Sequence, residues 1–180
     1  MYSNLDEFNA RQTIRKVAKN ARDLLLIELF YSAGMRVCDV VSMNIGDIIL
    51  EGNSRTDAVV NGRIVFFCHN VRSAAMYYLN TLSDVDPHLP LFVGRNGRVT
   101  ANVISQTLGR LQRRAKQFGG TRRAKRSLGN YLFGVGADLK ILQNILGHKS
   151  HKTTKALIGG LNRNSDPQTR AKHMVSQFLV

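Results

Sequence analysis

With 180 residues, 43% of them hydrophobic, and three prolines, the chain is long enough to bury one core and too short for two comfortable domains, which excludes a largely disordered protein. The formal charge of +14 is uneven: residues 1–100 carry 11 Lys/Arg against 10 Asp/Glu, and residues 101–180 carry 15 against 2. A merely solvated surface mixes both signs, so the acid-poor half is expected to meet a polyanion. Nucleic acid is favoured over an anionic membrane, because no basic amphipathic helix with large aromatic anchors is present.

In chain order, residues 5–18 are expected to form a helix capped by Ser3 or Asn4. "ARDLLLIELFYSAGMR" is almost wholly apolar from Leu24 to Phe30 and predicts a buried central helix ending near Gly34. A short helix follows in "VCDVVSM". "DIIL" and "GRIVFF", separated by the turn-rich "EGNSRTD", predict strands of a small three-stranded antiparallel sheet. "NVRSAAMYYLNTL" returns to helix, and "LPLFVG" is extended. Beyond residue 100, Thr100 or Asn102 caps "VISQTLGRLQRRAKQF", with Val103, Leu108 and Leu111 on its inner side. "TRRAKRSLGNYLFGVG" is helical up to Gly134–Gly136, and Asp138 caps "LKILQNILG", which Gly147 stops. Asp166-Pro167 opens a last helix toward Phe178. The fold class expected is mostly α with a small antiparallel β-sheet (α+β), as one continuous domain over residues 1–180.

Cys38 and Cys68 lie on hydrophobic segments without metal-ligand spacing and are expected as buried free thiols in a reducing compartment. No run reaches the roughly 18 apolar residues of a membrane span, and no basic-then-apolar leader opens the chain. The expectation is a cytoplasmic, DNA-associated protein with no membrane partner, no metal and no cofactor.

Three segments in order carry a family pattern: "YSAGMRVCDVVSMNIGDI", "RRAKRSLGNYLFGVGADLKILQNILGHKS" and "HKTTKAL". Together they resemble the catalytic domain of the tyrosine recombinase (phage integrase) family, with its Gly-x-Arg turn, His-x-x-Arg helix, Gly-Ala-Asp turn and Leu-Gly-His box. The resemblance implies the catalytic-domain fold of that family; because only about twenty residues precede the first buried helix, residues 1–20 are expected as an N-terminal helix with no separate core-binding domain. By the same resemblance the C-terminal helix of residues 161–180, with Met174, Val175, Phe178 and Leu179 as a candidate apolar face, is expected either to contact another protomer or a related recombinase or to pack on its own domain.

Such an enzyme must hold one phosphodiester, attack it with a hydroxyl and protonate the leaving oxygen. By resemblance, Arg36 and Arg126 are the two phosphate-clamping arginines, since a planar guanidinium gives two parallel hydrogen bonds to phosphate. Asp39 would orient the first, and His148 would donate to the phosphate or assist proton transfer. The chain departs from the pattern at three places. Arg123 stands at the first histidine of His-x-x-Arg, and Leu157, nine residues after His148, stands where the nucleophilic tyrosine is expected. The hairpin lysine of the family falls in "TDAVVNGR", which has none; Arg55 and Arg63 flank that place as candidate DNA contacts, but arginine is a poor acid. No tyrosine follows Tyr131.

The groups that hold phosphate are thus kept, while those that attack and move protons are missing. This leads to the expectation of a DNA-binding protein, sequence- or structure-specific, that has lost strand cleavage and acts as an accessory or regulatory factor. The alternative is an active recombinase using a nucleophile from a partner or an unusual one, and a third reading is a general RNA or polyanion binder. In "SQTLGRLQRRAK", Arg110, Arg113 and Arg114 are candidate base readers, with Lys116 beside them. Arg122, Lys125, Lys149, Lys152, Thr153 and Thr154 are candidate backbone contacts.

Overall fold

A computed structural model describes residues 4–158, and the expected C-terminal helix lies outside them. Helix α1 (Asn4–Lys16) is followed by α2 (Ala21–Tyr31), whose N-cap Asn20 accepts the Asp23 N–H at 2.8 Å. The apolar run of α2 is buried throughout, from Leu25 to Tyr31. Glu28 within it is buried as well, and it is offset by Arg15 of α1 and the Ser32 hydroxyl, which fastens the first two helices together.

Next come α3 (Val37–Ser42), a 3-10 turn (Ile45–Asp47), β1 (Ile49–Leu50), β2 (Asn53–Ser54), β3 (Asp57–Val60), β4 (Arg63–Phe66) and α4 (His69–Leu79). After β5 (Val93–Gly94) and β6 (Gly97–Arg98) the chain is helical: α5 (Ala101–Arg114), α6 (Gly120–Gly134), α7 (Leu139–Leu146) and α8 (His151–Ile158). The mostly helical class is as expected, but the strand pairing is not. "DIIL" and "GRIVFF" do not pair; among the described residues there are three separate two-stranded antiparallel ribbons, β1–β2, β3–β4 and β5–β6. Asn61-Gly62, at φ +49° and +72°, closes β3 on β4, setting Ala58 opposite Val65 and Val60 opposite Arg63. A two-residue Asn-Gly turn matches the twist of the strands it joins, so this local hairpin forms in preference to a pairing across the longer loop.

The main core takes residues from α1 to α5, the inner face of the β3–β4 hairpin and Ala124 of α6. On α5 the buried stripe is Ile104, Leu108 and Leu111, spaced four and three residues apart, and Val103 is exposed rather than inward. A second, smaller cluster of Leu128, Leu146 and Leu157 joins α6, α7 and α8. Gly129 allows that approach: a Cβ there would lie 3.2 Å from Ile158 Cγ2 and 3.3 Å from Leu146 Cδ1. Both cysteines are free and, against expectation, exposed. Cys38 turns outward because its helical neighbours Asp39 and Val40 take the inner face of α3, and Cys68 is the residue that precedes α4. No described helix is long and apolar enough to cross a membrane.

Candidate nucleic-acid interface

Helix α7 starts on the Asp138 carboxylate, which accepts the Ile141 N–H at 2.8 Å, and ends at Gly147 in the left-handed conformation at φ +65°. Its last carbonyls therefore have no helical partner, and three cations from three elements satisfy three successive ones. Arg63 Nη1, on β4, donates to Ile145 O at 2.7 Å; Lys125 Nζ, on α6, donates to Leu146 O at 2.6 Å; Arg36 Nη2, just before α3, donates to Gly147 O. The negative end of the helix dipole favours such company. A side chain at position 147 would collide with this arrangement, since a Cβ there would lie 2.9 Å from Arg36 Nη2.

Asp39, 1% exposed, is the one carboxylate in this group. It accepts the Arg36 backbone N–H at 3.0 Å, Asn61 Nδ2 at 3.1 Å and Arg63 Nη2 at 2.8 Å. Burial alone would raise its carboxyl pKa, but these bonds outweigh burial and hold it below the ordinary range. Asp39 thus orients Arg36 through the backbone, while its ion pair is made with Arg63.

Beside the α7 terminus opens a cleft of about 400 Å³. Arg36 and Val37 line it from one side, Thr121, Arg122 and Lys125 from α6, and His148, Thr153, Ala156 and Leu157 from the far wall. Burial and then the charges of Arg36 and Arg63 push Lys125 down to about 8. His148 is likewise lowered by burial, then by Lys125 and Arg36, so it is neutral at neutral pH. Its Nδ1 pairs with Thr154 Oγ1 at 3.0 Å, which fixes the ring and leaves Nε2 without that engagement. Chemically, the cleft offers two guanidinium groups, an ammonium and a neutral imidazole to an anion of phosphate size.

The expected site residues distribute as follows. Arg36 and His148 reach the cleft, and so does Leu157, 8% exposed, its side chain shared with the second core. Neither Arg126 nor Arg123 lines the cleft, although the resemblance put the clamp and the degenerate histidine position there. Arg122 and Lys125, read from sequence only as backbone contacts, line it instead. One residue along a helix is a rotation of about 100°. Burial of Ala124 and Leu128 sets the inward face of α6 and decides which pair turns to the cleft. Arg122 and Lys125 share the three-residue spacing of Arg123 and Arg126, so His-x-x-Arg fits either pair and the spacing alone does not choose between them.

Thr154 is a correction: it is fully buried and holds His148, so its hydroxyl is not presented to a ligand, whereas Thr153 lines the cleft. Arg63 is half-buried, with its guanidinium engaged by Asp39 and Ile145 O, and Arg55 lies apart from the cleft on the carbonyls of Asp57 and Gly46. Arg110 pairs with Asp23 at 3.5 Å; Arg113, Arg114 and Lys116 at the end of α5 are exposed, as are Lys149 and Lys152 around the start of α8. Among the described residues no group of three or more His, Cys, Asp or Glu side chains converges as a metal site would. Sequence reasoning had no sign of Asn61, whose side chain joins the hairpin turn to Asp39.

The sequence profile described as Phage integrase family matches residues 3–157. Tyrosine recombinase XerC of Bacillus subtilis (strain 168) is 30% identical over 148 residues, covering 74% of this chain and 48% of that protein. Tyrosine recombinase XerC of Bifidobacterium longum (strain DJO10A) is 31% identical over 162 residues, covering 81% of this chain and 45% of that protein. The crystal structure of XerA recombinase superposes with a TM-score of 0.73 at 21% identity, over 94% of this chain and 63% of that one. The integrase from mycobacterium phage Brujita gives a TM-score of 0.65 at 22% identity, over 94% of this chain and 55% of that one. The chain spans about half the length of the curated relatives it matches.

Proposed function

The chain belongs to the phage integrase family, and on that premise we propose that it grips duplex DNA through the α6–α7–α8 cleft without cutting it, as an accessory or regulatory factor in recombination, transcription, replication or mobile-element maintenance. The observation that carries this reading is that Arg36, Arg122, Lys125 and His148 converge on one cleft whose wall at position 157 is a leucine side chain. Arg36, Arg63 and Lys125, crowded together with Asp39 as their one carboxylate, repel one another, and an entering phosphate relieves that repulsion. Arg36 and Arg122 can each present a fork to phosphate oxygens, Lys125 a point charge, and His148 a hydrogen bond. Leucine has no hydroxyl, so the attack that would form a covalent protein–DNA bond has no source at that position. The basic ends of α5 and α8 extend the contact along the backbone.

The direct test uses a nicked suicide duplex, with products separated on a denaturing gel. The expected outcome is retarded DNA under native conditions, with neither a covalent adduct nor a cut strand after denaturation. An adduct with this chain alone overturns the proposal. A second reading, an active recombinase whose attacking group comes from a partner, is favoured by the completeness of the cationic wall; it requires an adduct to form once a full-length tyrosine recombinase is added.

Lys125 makes binding sensitive to pH. The charged form attracts phosphate, so affinity is greatest below its pKa of about 8 and falls as the pH rises through it. Duplex titrations from about pH 7 to about pH 9 are expected to show binding coupled to proton uptake, a coupling that Lys125→Arg abolishes.

A further inference from the structure

The turn between α5 and α6 is held tightly to the interior. Gln112 bonds Gly120 in both directions: its Nε2 donates to Gly120 O at 2.8 Å, and the Gly120 N–H donates to its Oε1 at 2.9 Å. The Gln117 N–H donates to Gln112 O at 2.7 Å, and the buried Gln117 side chain donates to Ala10 O at 2.6 Å and accepts from the Tyr31 hydroxyl at 3.1 Å. Lys116, Gly119 and Gly120 all take positive φ, of +53°, +112° and +57°. Between these anchored residues Phe118 projects outward. At 73% it is more exposed than any other large apolar side chain among the described residues. A turn this constrained holds the ring outside in a fixed place, at the cost of leaving an aromatic surface in water.

Its neighbours along the chain are cationic, and the stretch that carries it is free of acids. Arg113, Arg114 and Lys116 precede it, Arg122 follows it, and no Asp or Glu occurs anywhere from Pro87 to Ala137. Thr121 and Arg122, three and four residues beyond the ring, already line the cleft. A second copy of the chain would bring the same positive charge against this rim and be repelled. A nucleic acid strand alternates anionic phosphates with the apolar faces of sugar and base, which matches a cationic rim carrying one aromatic ring.

We infer that Phe118 packs against a nucleobase or deoxyribose face of bound DNA next to the phosphate held in the cleft, and so fixes where along the strand the cleft sits. This rests on the DNA-binding reading. The chain contains no tryptophan, so Phe118→Trp supplies a single indole reporter at this place. With a mixed-sequence duplex of about three helical turns, the indole is expected to lose most of its accessibility to acrylamide. Phe118→Ala is expected to weaken affinity about tenfold without changing thermal unfolding or the slope of log affinity against log salt, because no counterion is released by an apolar contact. If the parent chain binds the duplex but the indole stays as accessible as in the free protein, or if Phe118→Ala binds equally well, this inference fails and the DNA-binding reading stands. Failure of the parent chain to bind overturns both. Shielding that appears without DNA as protein concentration rises points to a second copy and overturns the inference.

Discussion

Arg63→Ala is expected to destabilise the domain by about 3 kcal/mol, lowering Tm on the order of 10 °C in a thermal melt followed by circular dichroism. The guanidinium is 16% exposed and the carboxylate of its partner Asp39 is 2% exposed, so the pair lies where solvent screens little. Truncation leaves the Asp39 charge buried with the Arg36 N–H, Asn61 and the weak Cys38 thiol donor as its remaining partners, and it also uncovers Ile145 O at the end of α7. Removing one member of a buried pair costs more than the pair itself contributes, because the survivor keeps its desolvation penalty. Arg63→Lys should recover only part of the loss, since an ammonium does not reproduce the fork that reaches a carboxylate and a carbonyl together. In a double-mutant cycle, Asp39→Asn combined with Arg63→Ala should destabilise by clearly less than the sum of the two single changes; additive effects would mean that the pair is not coupled. The pH dependence follows the depressed Asp39 carboxyl: its contribution is complete above the ordinary value of 3.8 and is lost as the pH falls through the lower folded value.

Arg122→Ala is expected to weaken duplex binding by about tenfold to a hundredfold, and to reduce the salt slope by about one, while leaving thermal unfolding unchanged. The side chain is exposed at the cleft, so its loss removes a phosphate partner without opening a cavity. Lys125→Ala should weaken binding comparably. Arg126→Ala is the control: its guanidinium lies outside the cleft, and the change in affinity should stay within about threefold, as for a distant cation acting through the general field. Measured side by side by fluorescence anisotropy at two salt concentrations, the three variants decide which phase of α6 faces the phosphate. A large effect at Arg126 with none at Arg122 would reverse the assignment.

Much of the fold could be read from short stretches of the chain. Asp138 and Gly147 bracket α7 because a cap and a left-handed stop act within a few residues of themselves. The run of α2 from Leu25 to Tyr31 is buried because all of it but Glu28 is apolar, and Glu28 is paired with Arg15. The uneven charge and the Leu157 substitution are likewise properties of the chain as written. The strand partners differ from the expectation because Asn61-Gly62 closes β3 on β4 locally, whereas the more conspicuous turn-rich segment before it does not join the two apolar runs.

What remained hidden depends on groups far apart in sequence. Arg63 meets Ile145 across 82 residues, and Arg36 meets Gly147 across 111. No local pattern encodes those meetings; the packing of the hairpin, α3 and α6 around the end of α7 creates them. The same holds for Thr154, whose hydroxyl could face ligand or interior until α8 packs on α6 and turns it to His148. The most instructive case is α6 itself. "TRRAKRS" offers two pairs of cations at the same spacing, and the residue types do not choose between them. Burial of Ala124 and Leu128 fixes the helix's rotation, and that rotation brings Arg122 and Lys125 to the cleft. Residue identity and short-range spacing therefore settle which chemistry the chain carries, whereas the face a side chain presents is settled by which neighbours exclude water from the other side.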